Sequence, residues 1–209
     1  METTPLNPWF SMWLHPRRTI RQIVETNPDR LVLLLAAVGG IAEALTNASG
    51  DSKSDGMSLA SILLMSLIVG PLMGILGLWL GGILLRWTGR WLGGQADTRR
   101  IRTALAWTNV PLVWSVLLWV PALLLFGAEL FTKATPRIDA SALLSGLYLV
   151  FSFGIGAVSL WAFVVFLHAL GEVQGFSAWK ALGNSILAGL VVAIPLIVLA
   201  LVMVWISRI

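Results

Sequence analysis

SLASILLMSLIVGPLMGILGLWLGGILL, residues 58–85, carries no acidic, basic or amide side chain. At a rise of about 1.5 Å per residue, a helix of this length exceeds the roughly 30 Å of bilayer hydrocarbon, so it reads as a membrane span with room for tilt. Outward from it, further apolar runs lie at 31–46, 104–125, 142–167 and 182–205. The apolar share is 57% against 11% Asp, Glu, Lys and Arg, and mean hydropathy is +0.87. A soluble chain with five such runs would need far more polar surface. The runs are continuous rather than alternating, which excludes a β-barrel. The expected fold is an all-α polytopic membrane protein, with an N-terminal amphipathic interfacial element over 1–30 and five transmembrane helices over 31–206. Pro71 is expected to break or bend the second span, because it removes a backbone donor and crowds the preceding turn. The first span is short, which places Asp29, Arg30 and Asn47 at its rims. A small polar loop at 48–57 and a longer polar link at 168–180 join the spans on either side of them.

Residues 7–24, NPWFSMWLHPRRTIRQIV, divide into an aromatic cluster and a basic helix opening at Pro16. Ile20, Ile23 and Val24 share one face of that helix; Arg17, Arg18, Arg21 and Glu25 take the other. This pattern suits a helix lying on anionic lipid, with the arginines in contact with headgroups. Orientation follows from Lys and Arg. The N-terminus, the second connection and the fourth connection hold 10 of them; Lys53, Lys133, Arg137 and Arg208 are the 4 on the other side. The N-terminus is therefore expected in the cytoplasm and the C-terminus on the opposite side.

Gly70, Gly74, Gly77 and Gly81 recur at three- and four-residue spacing along the second span. Small residues in such a row let a second backbone approach closely, within the chain or in a homo-oligomer. Among polar residues in apolar surroundings Glu43 is the sharpest, with Asn47 one turn on and Asn109 ahead of Pro111. A carboxylate at such depth has to face the bundle interior, a wet crevice or the rim. The three form a candidate intramembrane polar site. Glu43 is read as a rim residue, as a partner in an interhelical hydrogen bond or as an ion or proton site; Asn109 is read as bonding a carbonyl that Pro111 leaves unpaired. His168 and Glu172, four apart, form a candidate pair at the cytoplasmic rim.

There is no cysteine, no phosphate loop, no Gly-x-Ser-x-Gly and no His-Glu-x-x-His. No enzyme, no cofactor and no metal is expected, and a net charge of +4 gives no case for nucleic acid.

Three stretches together resemble the Yip family of integral membrane proteins: residues 7–24, GGQADTRRIRTALAWTNVP at 93–111, and HALGEVQGFSAWKAL at 168–182. The resemblance extends over essentially the whole chain. It implies a five-helix bundle with a cytoplasmic N-terminus, and Gly93, Gly94, Pro111, Glu172 and Gly175 match positions characteristic of the family. Eukaryotic relatives bind Rab GTPases. This chain shows neither their Asp-Leu-Tyr-Gly-Pro motif nor their long N-terminal region, so the resemblance implies a bacterial member, in the cytoplasmic (inner) membrane. The expected function is a non-enzymatic membrane protein that organises lipid or partner proteins, with a homo-oligomer among the alternatives. The competing reading is a small transporter or channel built on Glu43, Asn47 and Asn109, with prolines breaking its helices.

Overall fold

A computed structural model of the chain describes residues 5–50 and 56–207. Residues 51–55 of the 48–57 loop, Lys53 among them, and residues 208 and 209 at the C-terminus lie outside the described residues. Two short helices come first, α1 (Pro8–Leu14) and α2 (Pro16–Thr26). Helices α3 (Val32–Gly50), α4 (Leu59–Trp91), α5 (Thr98–Trp107) and α6 (Val110–Phe126) follow. A 3-10 turn at Gly127–Phe131 and α7 (Pro136–Asp139) lead into α8 (Ala142–Gln174) and α9 (Ala178–Ile206). Counting the α5–α6 stretch as one, five helical segments are long and apolar enough to cross a membrane.

Every span is longer than its apolar run. In α3 the polar residues after 45 continue the helix because their hydroxyls bond back along it: Thr46 Oγ1 donates to the Ala42 carbonyl and Ser49 Oγ to that of Thr46, both at 2.8 Å. Asn47 thus lies in the last turn of α3. Pro71 does not break α4, which runs unbroken to Trp91. In lipid the alternative to a helix is a run of unbonded peptide groups, which costs more than the one bond proline removes.

The glycine row resolves into contact and surface. Gly70 and Gly74 face α3, where a methyl on Gly40 would run into the Gly70 carbonyl and one on Gly74 into the Ala36 carbonyl. No atom lies within 4 Å of a Cβ placed on Gly77, and Gly81 would meet only Leu105, at 3.4 Å. The row is therefore an internal α3–α4 seam at 70 and 74, and not a continuous interface through 77 and 81. Its second half comes from Ala36 and Gly40, which the sequence reading passed over, while Gly39 lies under the Asn109 side chain.

The N-terminal element is docked on protein. Met12, Ile20 and Ile23 are buried against Ala104, Trp107, Val165 and Ala169, and Trp9 packs edge-on to Trp107 at 6.0 Å. The apolar face expected to lie in lipid is covered by α5 and α8 instead, since those helices offer it a close-packed surface. Only Phe10 and Leu14 remain well exposed among its apolar residues. The connection to α3 is pinned by one face of α5. Arg99, Thr103 and Trp107, spaced four apart, bond respectively the Asp29 carboxylate, the Pro28 carbonyl at 2.7 Å and the Arg30 carbonyl at 3.2 Å. These bonds hold Leu31 at φ 56, in the left-handed region that leucine seldom adopts.

Candidate functional site

The third span is where the bundle opens. Helix α5 ends at Trp107 and α6 begins at Val110, with Asn109 as its N-cap and Pro111 in the first turn, where a missing N–H leaves nothing unbonded. Asn109 Nδ2 reaches the Leu35 carbonyl of α3 at 3.4 Å, and its side chain lies over Gly39. The expected bond to a carbonyl freed by Pro111 is not what forms: the acceptor belongs to another helix.

Helices α3 and α8 both pack on the α5–α6 junction and leave a crevice of about 520 Å³ between them. Glu43, Thr46 and Asn47 line it from α3, Thr108 and Asn109 from the junction, and Ser159 from α8. Leu105, Leu112, Phe163 and Phe166 supply its apolar wall. The three residues singled out as an intramembrane polar site thus meet in one cavity. Thr46, Thr108 and Ser159 complete it; hydroxyls on apolar helices gave the sequence reading no signal, because they so often bond their own helix.

Glu43 and Asn47 are exposed in this crevice, and no hydrogen-bond partner to either side chain occurs among the described residues. Of the three readings of Glu43, the interhelical hydrogen bond is the one that does not form among the described residues. Glu43 also borders a smaller cavity of about 190 Å³ on the Gly40–Gly74 side. A carboxylate with open acceptor positions beside an apolar wall can take an amine, a cation or a proton. No group of three or more His, Cys, Asp or Glu suited to a metal occurs among the described residues.

The rim residues are rearranged. Helix α8 continues through His168 and Glu172 to Gln174, so the polar link shrinks to 175–177. The two do not pair. His168 Nδ1 is 2.9 Å from the Val164 carbonyl, while Glu172 receives Arg17 at 3.4 Å and Arg21 at 2.6 Å. Glu172 is the more buried partner, at 14% side-chain exposure against 38% and 61% for the arginines. Two of the three arginines expected on anionic lipid are therefore bound to a carboxylate, leaving Arg18 exposed.

The remaining family-like positions have structural tasks. Gly93 and Gly175 take φ 81 and φ 76 just past α4 and α8, the left-handed turn that closes a helix. Gly94, with Gly89, leaves room for the Gln174 side chain. Gln174 and Asn184, both buried, form a knot absent from the sequence reading. Gln174 Nε2 and Asn184 Nδ2 donate to the Leu85 carbonyl at 3.0 and 3.1 Å, and Thr88 Oγ1 donates to Asn184 Oδ1 at 2.5 Å. Closed on itself, this network ties α4, α8 and α9 together and offers a ligand nothing.

A family model described as the Yip1 domain matches residues 10–206, and the chain belongs to that family. Comparison with curated proteins and with solved structures finds no match.

Proposed function

We propose that this Yip1-family membrane protein is a non-enzymatic organiser of lipid, whose flank crevice seats a phospholipid bearing an amine headgroup. The observation that supports this is the Glu43 carboxylate, unpartnered among the described residues, at the edge of a crevice that is polar along one side and apolar along the other. An ammonium group would fill the acceptor positions of Glu43 and Asn47, and an acyl chain would lie along Phe163 and Phe166. The proposal places the protein in a bacterial cytoplasmic membrane, N-terminus inside and C-terminus outside. Lipid is the partner it calls for. Self-association would need a surface other than Gly70 and Gly74, which α3 already covers.

The test is native mass spectrometry of protein released from bilayers of equal phosphatidylethanolamine, phosphatidylcholine and phosphatidylglycerol. Wild type should retain phosphatidylethanolamine in preference, and Glu43→Gln should lose that preference about tenfold, the scale of one charge-assisted hydrogen bond. Equal retention by both proteins would end the reading. The transport reading draws support from Glu43 bordering two cavities. A proton or cation flux in proteoliposomes, abolished by Glu43→Gln, would put it first.

A further inference from the structure

A second cleft, of about 420 Å³, lies between the start of α3, the middle of α4 and α5. Asp29, Leu33, Trp79, Arg99, Arg102 and Thr103 are among its lining residues. Its chemistry differs from that of the Glu43 crevice. Arg99 grips Asp29 with two nitrogens, the Nε contact being 3.1 Å, so these charges cancel. The hydrogen bond from Arg99 also holds the Asp29 carboxyl below its ordinary range, keeping it ionised.

Arg102 is left as the unmatched charge. Its guanidinium carbon stands 3.9 Å from the centre of the Trp79 ring, and its Nε donates to the Thr98 carbonyl at 3.3 Å. Its stem crosses α4 at Gly82, where a Cβ would come within 2.8 Å of Arg102 Cγ. The side chain is thus fixed at three points. Its two terminal amino groups have no hydrogen-bond partner among the described residues. A planar guanidinium held over an indole, with both ends unused, presents the two-pronged donor that matches two oxygens of a phosphate. The net charge of Asp29, Arg99 and Arg102 is +1, equal and opposite to a phosphodiester.

The rest of the wall decides between a soluble phosphate and a lipid. Leu33 and Trp79 are 56% and 48% exposed, and Leu34 and Ile83 nearby are 53% and 55% exposed. Inorganic phosphate gains nothing from such a surface, whereas an acyl chain does. Arg102 is also one turn further along α5 than the exposed Arg99 and Arg100, and a long arginine stem on an apolar helix can reach back toward headgroups.

We infer that the cleft between α3, α4 and α5 binds the phosphodiester of an anionic phospholipid, with Arg102 as its two-pronged donor and Trp79 and Leu33 beside the lipid chain. This site is independent of the Glu43 crevice, so Glu43→Gln leaves it intact.

The full-length protein in a neutral detergent would be titrated with short-chain phosphatidylglycerol, short-chain phosphatidylcholine and inorganic phosphate, following Tm. Phosphatidylglycerol is expected to raise Tm of wild type at concentrations where phosphate does not, with phosphatidylcholine weaker because its choline places a second positive charge beside Arg102. Arg102→Gln should weaken the phosphatidylglycerol effect about tenfold, and Lys180→Gln, an exposed basic residue elsewhere, should leave it unchanged. Arg102→Lys keeps charge and stem but loses the fork, and should fall between the two; it carries the test if the Gln variant does not fold. An equal response in the Arg102 variants, or inorganic phosphate reproducing the full shift, would overturn the assignment.

Discussion

At Gly40 and Gly74 the side chain that fits is none at all. Alanine at either would press a methyl into a backbone carbonyl of the facing helix, and backbone cannot swing aside as a side chain does. Gly40→Ala and Gly74→Ala should each lower stability in detergent by about 1–3 kcal/mol, the range for overpacking. Gly77→Ala, meeting open space, should be neutral or stabilising by as much as about 1 kcal/mol, since glycine is a poor helix former. Thermal melts of the three variants check the contrast; equal losses would mean that the row acts as a unit. At this scale the sequence was half legible. The spacing of Gly70 and Gly74 marked a seam, but the opposing Ala36 and Gly40 belong to another helix, and one chain read in order does not say which helices touch. Glu43, Asn47 and Asn109 stood out because amide and carboxylate groups are costly in lipid. Gln174 and Asn184 did not, because the carbonyl they share belongs to Leu85 of α4, 89 and 99 residues back in the chain.

Among the elements, α2 rests mainly on α8. Glu172 is the single carboxylate that takes both Arg17 and Arg21, and it sits in the last turns of α8, where α2 covers it. Glu172→Leu should loosen α2 by about 1 kcal/mol, a modest figure because the arginines are partly solvated. Limited trypsin digestion should then cut after Arg17, Arg18 or Arg21 several-fold faster, while Tm of the bundle changes little. Unchanged cleavage would show that Ile20, Ile23 and Met12 hold α2 without the ion pairs. Hydropathy ended this helix seven residues too early, at 167 instead of Gln174. It scores suitability for lipid, and the last two turns of α8 face α2 and α5 rather than lipid. The same reasoning explains α2, whose apolar face fits a membrane surface and a protein surface equally well on sequence alone.

The molecule as a whole has two ends, and the proposed orientation assigns them. Single cysteines at Gln95 and Ala134, both exposed and on opposite sides of the α5–α6 span, should label from opposite faces with an impermeant thiol reagent. Labelling of both from one face would refute a single crossing by that span. The count and order of spans were legible because an apolar run of bilayer length has few other uses; the break at Thr108–Asn109 was visible only as Pro111. The distance along the chain between the two halves of the α2 clasp bears on how the protein is made. Arg17 and Glu172 are 155 residues apart. At about 5–20 residues per second, the ribosome delivers Glu172 roughly 8–30 s after Arg17. For that interval the nascent α2 has no α8 to rest on, and its isoleucines and arginines meet whatever the translocation machinery or the lipid surface provides. The amphipathic face that the finished protein conceals is therefore the face that newborn chains display.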